Sequence, residues 1–166
     1  MGLLFLGSVQ NVAAQDLKIA VVDLEGVIAL SDMGKTLQEK LKTFRTQTQG
    51  ELKALVDRAA EIEKQATAGG AALSELKLAE LRRQYEDANI EVQRMRKDKQ
   101  AEAQQIRDEG LKNIEIALQP VFESIQKETA YDIILNKAAG VVIMASEKAD
   151  ISQMVLDRFN AAVKNK

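Results

Sequence analysis

The sequence has no cysteine, no histidine, no tryptophan and a single proline. These absences exclude a Cys/His zinc site, a haem held through His or Cys, a thiol nucleophile and a Ser-His-Asp relay. Four Phe and two Tyr are the only aromatics in 166 residues, few for a compact enzyme that must fill a core and line a pocket. A basic excess is missing too: 23 Lys and Arg stand against 25 Asp and Glu, for a net charge of -2, and this gives no support to a nucleic-acid binder. What remains is a chain that is 46% hydrophobic, 29% charged and aromatic-poor. That composition reads as long helices packed through narrow seams.

Residues 1–14 are apolar and uncharged, with Val12 and Ala14 as small residues before Gln15. They read as the end of a secretory signal peptide, whose basic front is lost because the start is set too late. The run is too short to span a bilayer, and no other stretch reaches the roughly 18–20 apolar residues of a transmembrane helix.

Lys18-Ile19-Ala20-Val21-Val22-Asp23 is a β-branched run with apolar residues on both alternating faces, the pattern of a buried strand. Asp23 is placed to cap a short helical segment through Val27, Ile28 and Leu30, interrupted at Ser31-Asp32-Met33-Gly34. Leu37, Leu41, Phe44, Thr48, Leu52, Leu55, Ala59, Ile62 and Ala66 then recur at three- and four-residue steps as one stripe of a long helix. Gly69-Gly70 suits a tight reversal, and Ser74 can cap a second helix after it. A longer stripe runs from Leu81 through Val92, Lys99, Ile106, Gly110, Ile114 and Val121 to Ile125. At about 1.5 Å per residue such a helix outruns any globular domain of this mass, so the hairpin must project.

Pro120 is expected to kink or end that helix, because it has no N–H to give to the carbonyl of Ile116. After it, Tyr131-Asp132-Ile133-Ile134-Leu135 reads as a second strand and Val141-Val142-Ile143-Met144 as a third. Asp150 is placed to cap a last amphipathic helix through Ile151, Met154, Val155, Phe159 and Val163. The organisation expected is therefore a β body and terminal helix from residues 15–34 and 120–166, and a hairpin arm over 35–119 with its tip near 67–72.

Three short strands with apolar residues on both faces make a marginal, aggregation-prone sheet when alone. Self-association removes that exposure, and Ile19, Val21, Ile133, Leu135, Val142 and Met144 are the candidates for the shared core. The plainer alternative is a monomeric sheet covered by the terminal helix and the base of the hairpin.

Taken in order, the strand after a signal peptide, the long charged hairpin, and the ending from Tyr131-Asp132-Ile133 through Val141-Val142-Ile143-Met144 to Asp150-Ile151-Ser152 resemble the Skp/OmpH family of periplasmic chaperones. The fold class is then mainly α with a small β body, a long antiparallel helical hairpin projecting from a short-stranded sheet. The resemblance implies a homotrimer with a central β core and three arms around a cavity. It also implies a periplasmic, ATP-independent holdase for unfolded outer-membrane β-barrel proteins, with no cofactor, metal or catalytic residue, and with client contacts too diffuse to name.

Gly69-Gly70 lacks the Lys-Ser/Thr of a P-loop, which agrees with a nucleotide-free cycle. One feature departs from the family pattern: familiar members are strongly basic, whereas this chain is slightly acidic. The basic run Arg94-Met95-Arg96-Lys97 is balanced by Glu86, Asp87, Glu91 and Glu102 and reads as a solvated helix face. No lipopolysaccharide site is carried over, and membrane contact stays open at this point. The competing class is an exported coiled-coil spacer or adaptor with no client.

Overall fold

The computed structural model describes residues 17–69, 73–138 and 142–164. The expected signal segment and Val141 lie outside the described residues. The order of elements is β1 (Ile19–Val22), α1 (Leu24–Leu30), α2 (Asp32–Gly69), α3 (Glu75–Thr129), β2 (Ile133–Asn136) and α4 (Ser152–Lys164).

Local chemistry sets most of these boundaries. Asp23 caps α1, its Oδ1 accepting from the Gly26 N–H at 2.9 Å. Ser31 alone separates α1 from α2, a sharper break than the four residues expected. Its fully buried hydroxyl donates to the Ile28 carbonyl at 2.8 Å and accepts from the Gly34 N–H at 3.0 Å. Gly34 is required at this joint, because a Cβ there would collide with the Ile28 carbonyl oxygen. Ser74 caps α3 through the Lys77 N–H.

α3 does not end at Pro120 but runs on to Thr129. A proline inside a helix removes one donor, and here the surrounding turns carry Leu118, Val121 and Ile125, all buried in the core. Their burial, worth roughly 1.5–3 kcal/mol for each side chain, holds the helix through the missing bond. Ala130 then closes α3 in the left-handed conformation, at φ 53° and ψ 38°.

β1 and β2 pair in parallel, with Ile19 opposite Ile133, Ala20 opposite Ile134, Val21 opposite Leu135 and Val22 opposite Asn136. The crossover between them is the entire helical hairpin. The expected third strand is a correction: residues 142–144 belong to no strand. The far edge of β1 is taken instead by residues 149–151, where the Val21 N–H donates to the Ala149 carbonyl at 2.8 Å and the Ile151 N–H to the Val21 carbonyl at 2.9 Å. With that edge satisfied by backbone alone, β1 has no vacancy for residues 142–144.

One core lies at the base of the hairpin. Ala20 and Val22 from β1, Val27 from α1, Ile114, Leu118, Val121 and Ile125 from α3, and Ile151, Val155 and Phe159 at and within α4 form a single buried cluster. α4 is tied to its neighbours by polar contacts as well. Arg158 meets Glu128 at 2.7 Å, and Asn160 Oδ1 accepts the Asp32 N–H at the start of α2 at 2.9 Å.

Beyond this body the hairpin is thin. At about 1.5 Å per residue, the 55 residues of α3 span roughly 80 Å. Along α2 only Gly34 and Ala59 are buried, and along α3 nothing is buried between Val92 and Ile114. Halfway along, Lys99 occupies the seam position expected from the stripe. It bridges Glu51 at 3.4 Å and Glu102 at 3.3 Å and lies 5.3 Å from the Phe44 ring centre. The hydrogen bond that Lys99 donates to Glu102, with help from Glu51, holds its ammonium above the ordinary lysine range.

Candidate functional site

The parallel register sorts the strand side chains onto two faces, because neighbours along a strand point to opposite sides. Ala20, Val22 and Ile134 face the core cluster. Ile19, Val21, Ile133 and Leu135 share the other face, as two register pairs. Val21 on that face is buried within its own chain, at 4% exposure, whereas Ile19, Ile133 and Leu135 remain 44%, 40% and 37% exposed. Four of the six residues singled out from the sequence are thus brought together on one sheet face. Val142 and Met144 are not on it; they lie in the connection between β2 and α4, where Met144 is 90% exposed and Val142 half-buried.

The free edge of β2 adjoins this face. The Lys18 carbonyl accepts the Asp132 N–H at 2.9 Å and, more weakly, the Ile133 N–H at 3.4 Å, and the Lys137 N–H donates to the Val22 carbonyl at 2.7 Å, so within β2 itself the odd-numbered residues are the ones turned toward β1. The alternation of a parallel ladder then turns the N–H and C=O of Ile134 and Asn136 away from β1. Among the described residues, no strand pairs with that edge. Beside it a groove of about 570 Å³ opens against the exposed flank of α3, lined by Phe122, Leu118, Tyr131, Ile134, Leu24 and Val22 among others. Its acidic neighbours are Glu115, Glu123 and Asp132. Sequence reasoning missed this groove because its walls come from segments about a hundred residues apart; the signal present was the i, i+4 pair Leu118 and Phe122 beside an unpaired strand.

The end of the sheet is locked by a polar network. Asp150 accepts from the Ser152 hydroxyl at 2.6 Å, the Ser152 N–H at 3.0 Å and the Lys137 ammonium at 3.0 Å. These bonds, the Ser152 hydroxyl foremost, lower the Asp150 carboxyl to about 2. Ser152 Oγ in turn accepts the Asp23 N–H at 2.8 Å, and Asn136 Oδ1 accepts the Leu24 N–H. The ends of β1 and β2 and the start of α4 are thereby fixed to one another. Nearby, the Ser124 hydroxyl and the Arg158 guanidinium hold the Glu128 carboxyl below the ordinary glutamate range.

Among the described residues, no group of three or more acidic side chains is placed to hold a metal ion. No helix among them is long and apolar enough to cross a membrane. What the geometry offers is an apolar surface at the root of a long, solvated helical arm.

This architecture is found in a solved structure. The chain matches the crystal structure of a protein from Caulobacter crescentus CB15 named as a candidate outer membrane chaperone (OmpH-like), with a TM-score of 0.81 and 18% identity over 91% of this chain and 88% of that one. The shared fold is a small β body bearing a helical hairpin. The family model described as outer membrane protein (OmpH-like) matches residues 18–159, and the chain belongs to this OmpH-like family. No curated protein matches the sequence.

Proposed function

We propose that this chain is the subunit of a periplasmic, ATP-independent holdase that encloses unfolded outer-membrane β-barrel proteins until they insert. The observation that carries the reading is the pairing of an uncovered apolar sheet face, at Ile19, Ile133 and Leu135, with an arm that projects roughly 60 Å beyond the core and buries little of its own. An exposed apolar face on a small sheet favours association with further copies. Three copies joined at their β bodies leave three hairpins free to surround a guest. The Caulobacter crescentus relative, named as a candidate outer membrane chaperone, and the family assignment support the same reading.

A β-barrel protein in water exposes strand edges that only the closed barrel in lipid can satisfy, so it aggregates unless sequestered. Many weak contacts along flexible arms hold such a chain without a nucleotide cycle. The slightly acidic balance of this protein makes long-range electrostatic steering of acidic clients weak. Capture therefore rests on short-range contact with the half-buried apolar stripe of the hairpin.

The test is dilution of a urea-unfolded outer-membrane β-barrel into buffer with and without the mature chain, followed by light scattering. The reading expects suppressed scattering at near one trimer per client. A spacer or adaptor protein leaves the client to precipitate at every ratio.

A further inference from the structure

Burial along the arm is interrupted. In its outer half Ala59 on α2 and Leu81, Ala88 and Val92 on α3 are all buried, and Arg58 pairs with Glu91 across the two helices. At the base the core cluster resumes with Ile114. Between them residues 93–113 of α3 bury nothing, and neither do residues 35–58 of α2. At about 1.5 Å per residue the gap on α3 is roughly 30 Å long. The outer half is thus a small packed block of its own, set apart from the body by an open stretch of seam.

The middle of that stretch is a layer of polar and weakly packed residues. Lys99 stands where the stripe calls for an apolar side chain, and it crosses to Glu51 on α2 as a pair open to water. Beside it Thr48 carries, among the described residues, the one buried side-chain oxygen without a hydrogen-bond partner. Opening the seam at this level releases that hydroxyl to water instead of breaking a bond. Two residues on, Gly50 has nothing within 4 Å of where a Cβ would stand, so no close approach requires glycine there and its poor helix propensity is left uncompensated. Two hollows adjoin Phe44 at the same level. One of about 240 Å³ is lined by Thr48 and Lys99, and one of about 520 Å³ by Gln47 and Ile106.

We infer that the arm carries a joint at the level of Thr48, Gly50 and Lys99, about which its outer half swings as one block, with the Lys99–Glu51 pair as a latch that salt loosens. A pair exposed to water contributes little and is screened by ions, so the stiffness of the joint follows ionic strength. The joint belongs to the arm of a single subunit and depends neither on the number of copies nor on the guest proposed above. In a cage of several arms it lets each outer half follow the size of what is enclosed.

The test is hydrogen exchange read by mass spectrometry on the full chain, on Lys99→Leu and on Gly50→Ala, with circular dichroism as the check on helix content. In the wild type the amides of residues 44–54 and 94–104 are expected to exchange at least about tenfold faster than those of residues 56–62 and 86–92. Raising salt from about 0.05 M to about 0.5 M widens the difference. Lys99→Leu puts an apolar side chain into the seam; both central stretches then slow at least about tenfold and lose their salt dependence. Gly50→Ala slows the α2 stretch about fivefold and keeps the salt dependence. Even exchange along the whole arm overturns the joint. Fast central exchange that neither salt nor Lys99→Leu alters overturns the latch. If Lys99→Leu loses helix content, the salt response of the wild type and of Gly50→Ala decides in its place.

Discussion

Asp150 and Ser152 share two hydrogen bonds, the carboxylate accepting the hydroxyl at 2.6 Å and the backbone N–H at 3.0 Å. Through Lys137 and the Asp23 N–H, this pair ties the last turn of the sheet to the first turn of α4. The charged form of Asp150 is the one so bonded, and its carboxyl is lowered from 3.8 to about 2. Its contribution to stability is therefore complete above about pH 4 and is lost as pH falls toward 2. Because the side chain is partly open to water, the contribution is about 1 kcal/mol rather than the full value of the shift. Asp150→Asn is expected to lower the urea midpoint at pH 7, with the gap to wild type closing between pH 4 and pH 2. Denaturation curves at fixed subunit concentration check this; a constant gap across that range contradicts it.

Two glycines on the hairpin are predicted to differ sharply. At Gly34 the obstacle to a side chain is the backbone carbonyl of Ile28, which cannot move without breaking the joint between α1 and α2. Gly34→Ala should cost about 2 kcal/mol or more. At Gly110 the obstacle is the terminal methyl groups of Leu37, a half-buried side chain that can turn aside. There the gain of about 1 kcal/mol in helix propensity offsets the lost contact. Gly110→Ala should fall within about 1 kcal/mol of wild type in the same denaturation experiment.

Ala130 holds a left-handed conformation at the end of α3, which costs an L-residue about 1 kcal/mol relative to glycine. Ala130→Gly is expected to raise the thermal midpoint by a few degrees without changing helix content. A lowered midpoint indicates that the alanine methyl group packs favourably enough to outweigh its backbone strain.

Ile133 lies in the uncovered face, 40% exposed, so a charge there does not enter the core of its own chain. Ile133→Asp is predicted to leave the helical circular dichroism signal intact and to move the protein to a smaller species in sizing experiments. Persistence of the wild-type elution volume places the subunit contact elsewhere.

Much of this was legible in the sequence. The β-branched runs at Ile19 and Ile133 marked β1 and β2, and their period of two already placed Ile19 with Val21 and Ile133 with Leu135 on common faces. The helical stripe marked Lys99 as a seam residue, and Asp23 and Ser74 lie where capping chemistry requires them, whereas Asp150 stands one residue ahead of the cap position and bonds the Ser152 N–H instead. The misreading of residues 142–144 has a physical origin. Their β-branched pattern is that of a strand, but the actual neighbour of β1 is held through backbone bonds of Ala149 and Ile151, and these carry no side-chain signature. Pro120 does not end the helix, one of the two outcomes expected of it: the local rule against helix is overridden by the burial of Leu118, Val121 and Ile125 around it. That Val21 is already covered within one chain depends on tertiary placement, which alternation alone does not report.

The central claim is that copies merge at the β body and free their arms to enclose one unfolded guest. Native mass spectrometry of the mature chain mixed with a urea-diluted outer-membrane β-barrel tests it most directly. The account predicts one dominant complex, with the mass of three subunits and one client. A population of single, folded subunits beside precipitated client would contradict it.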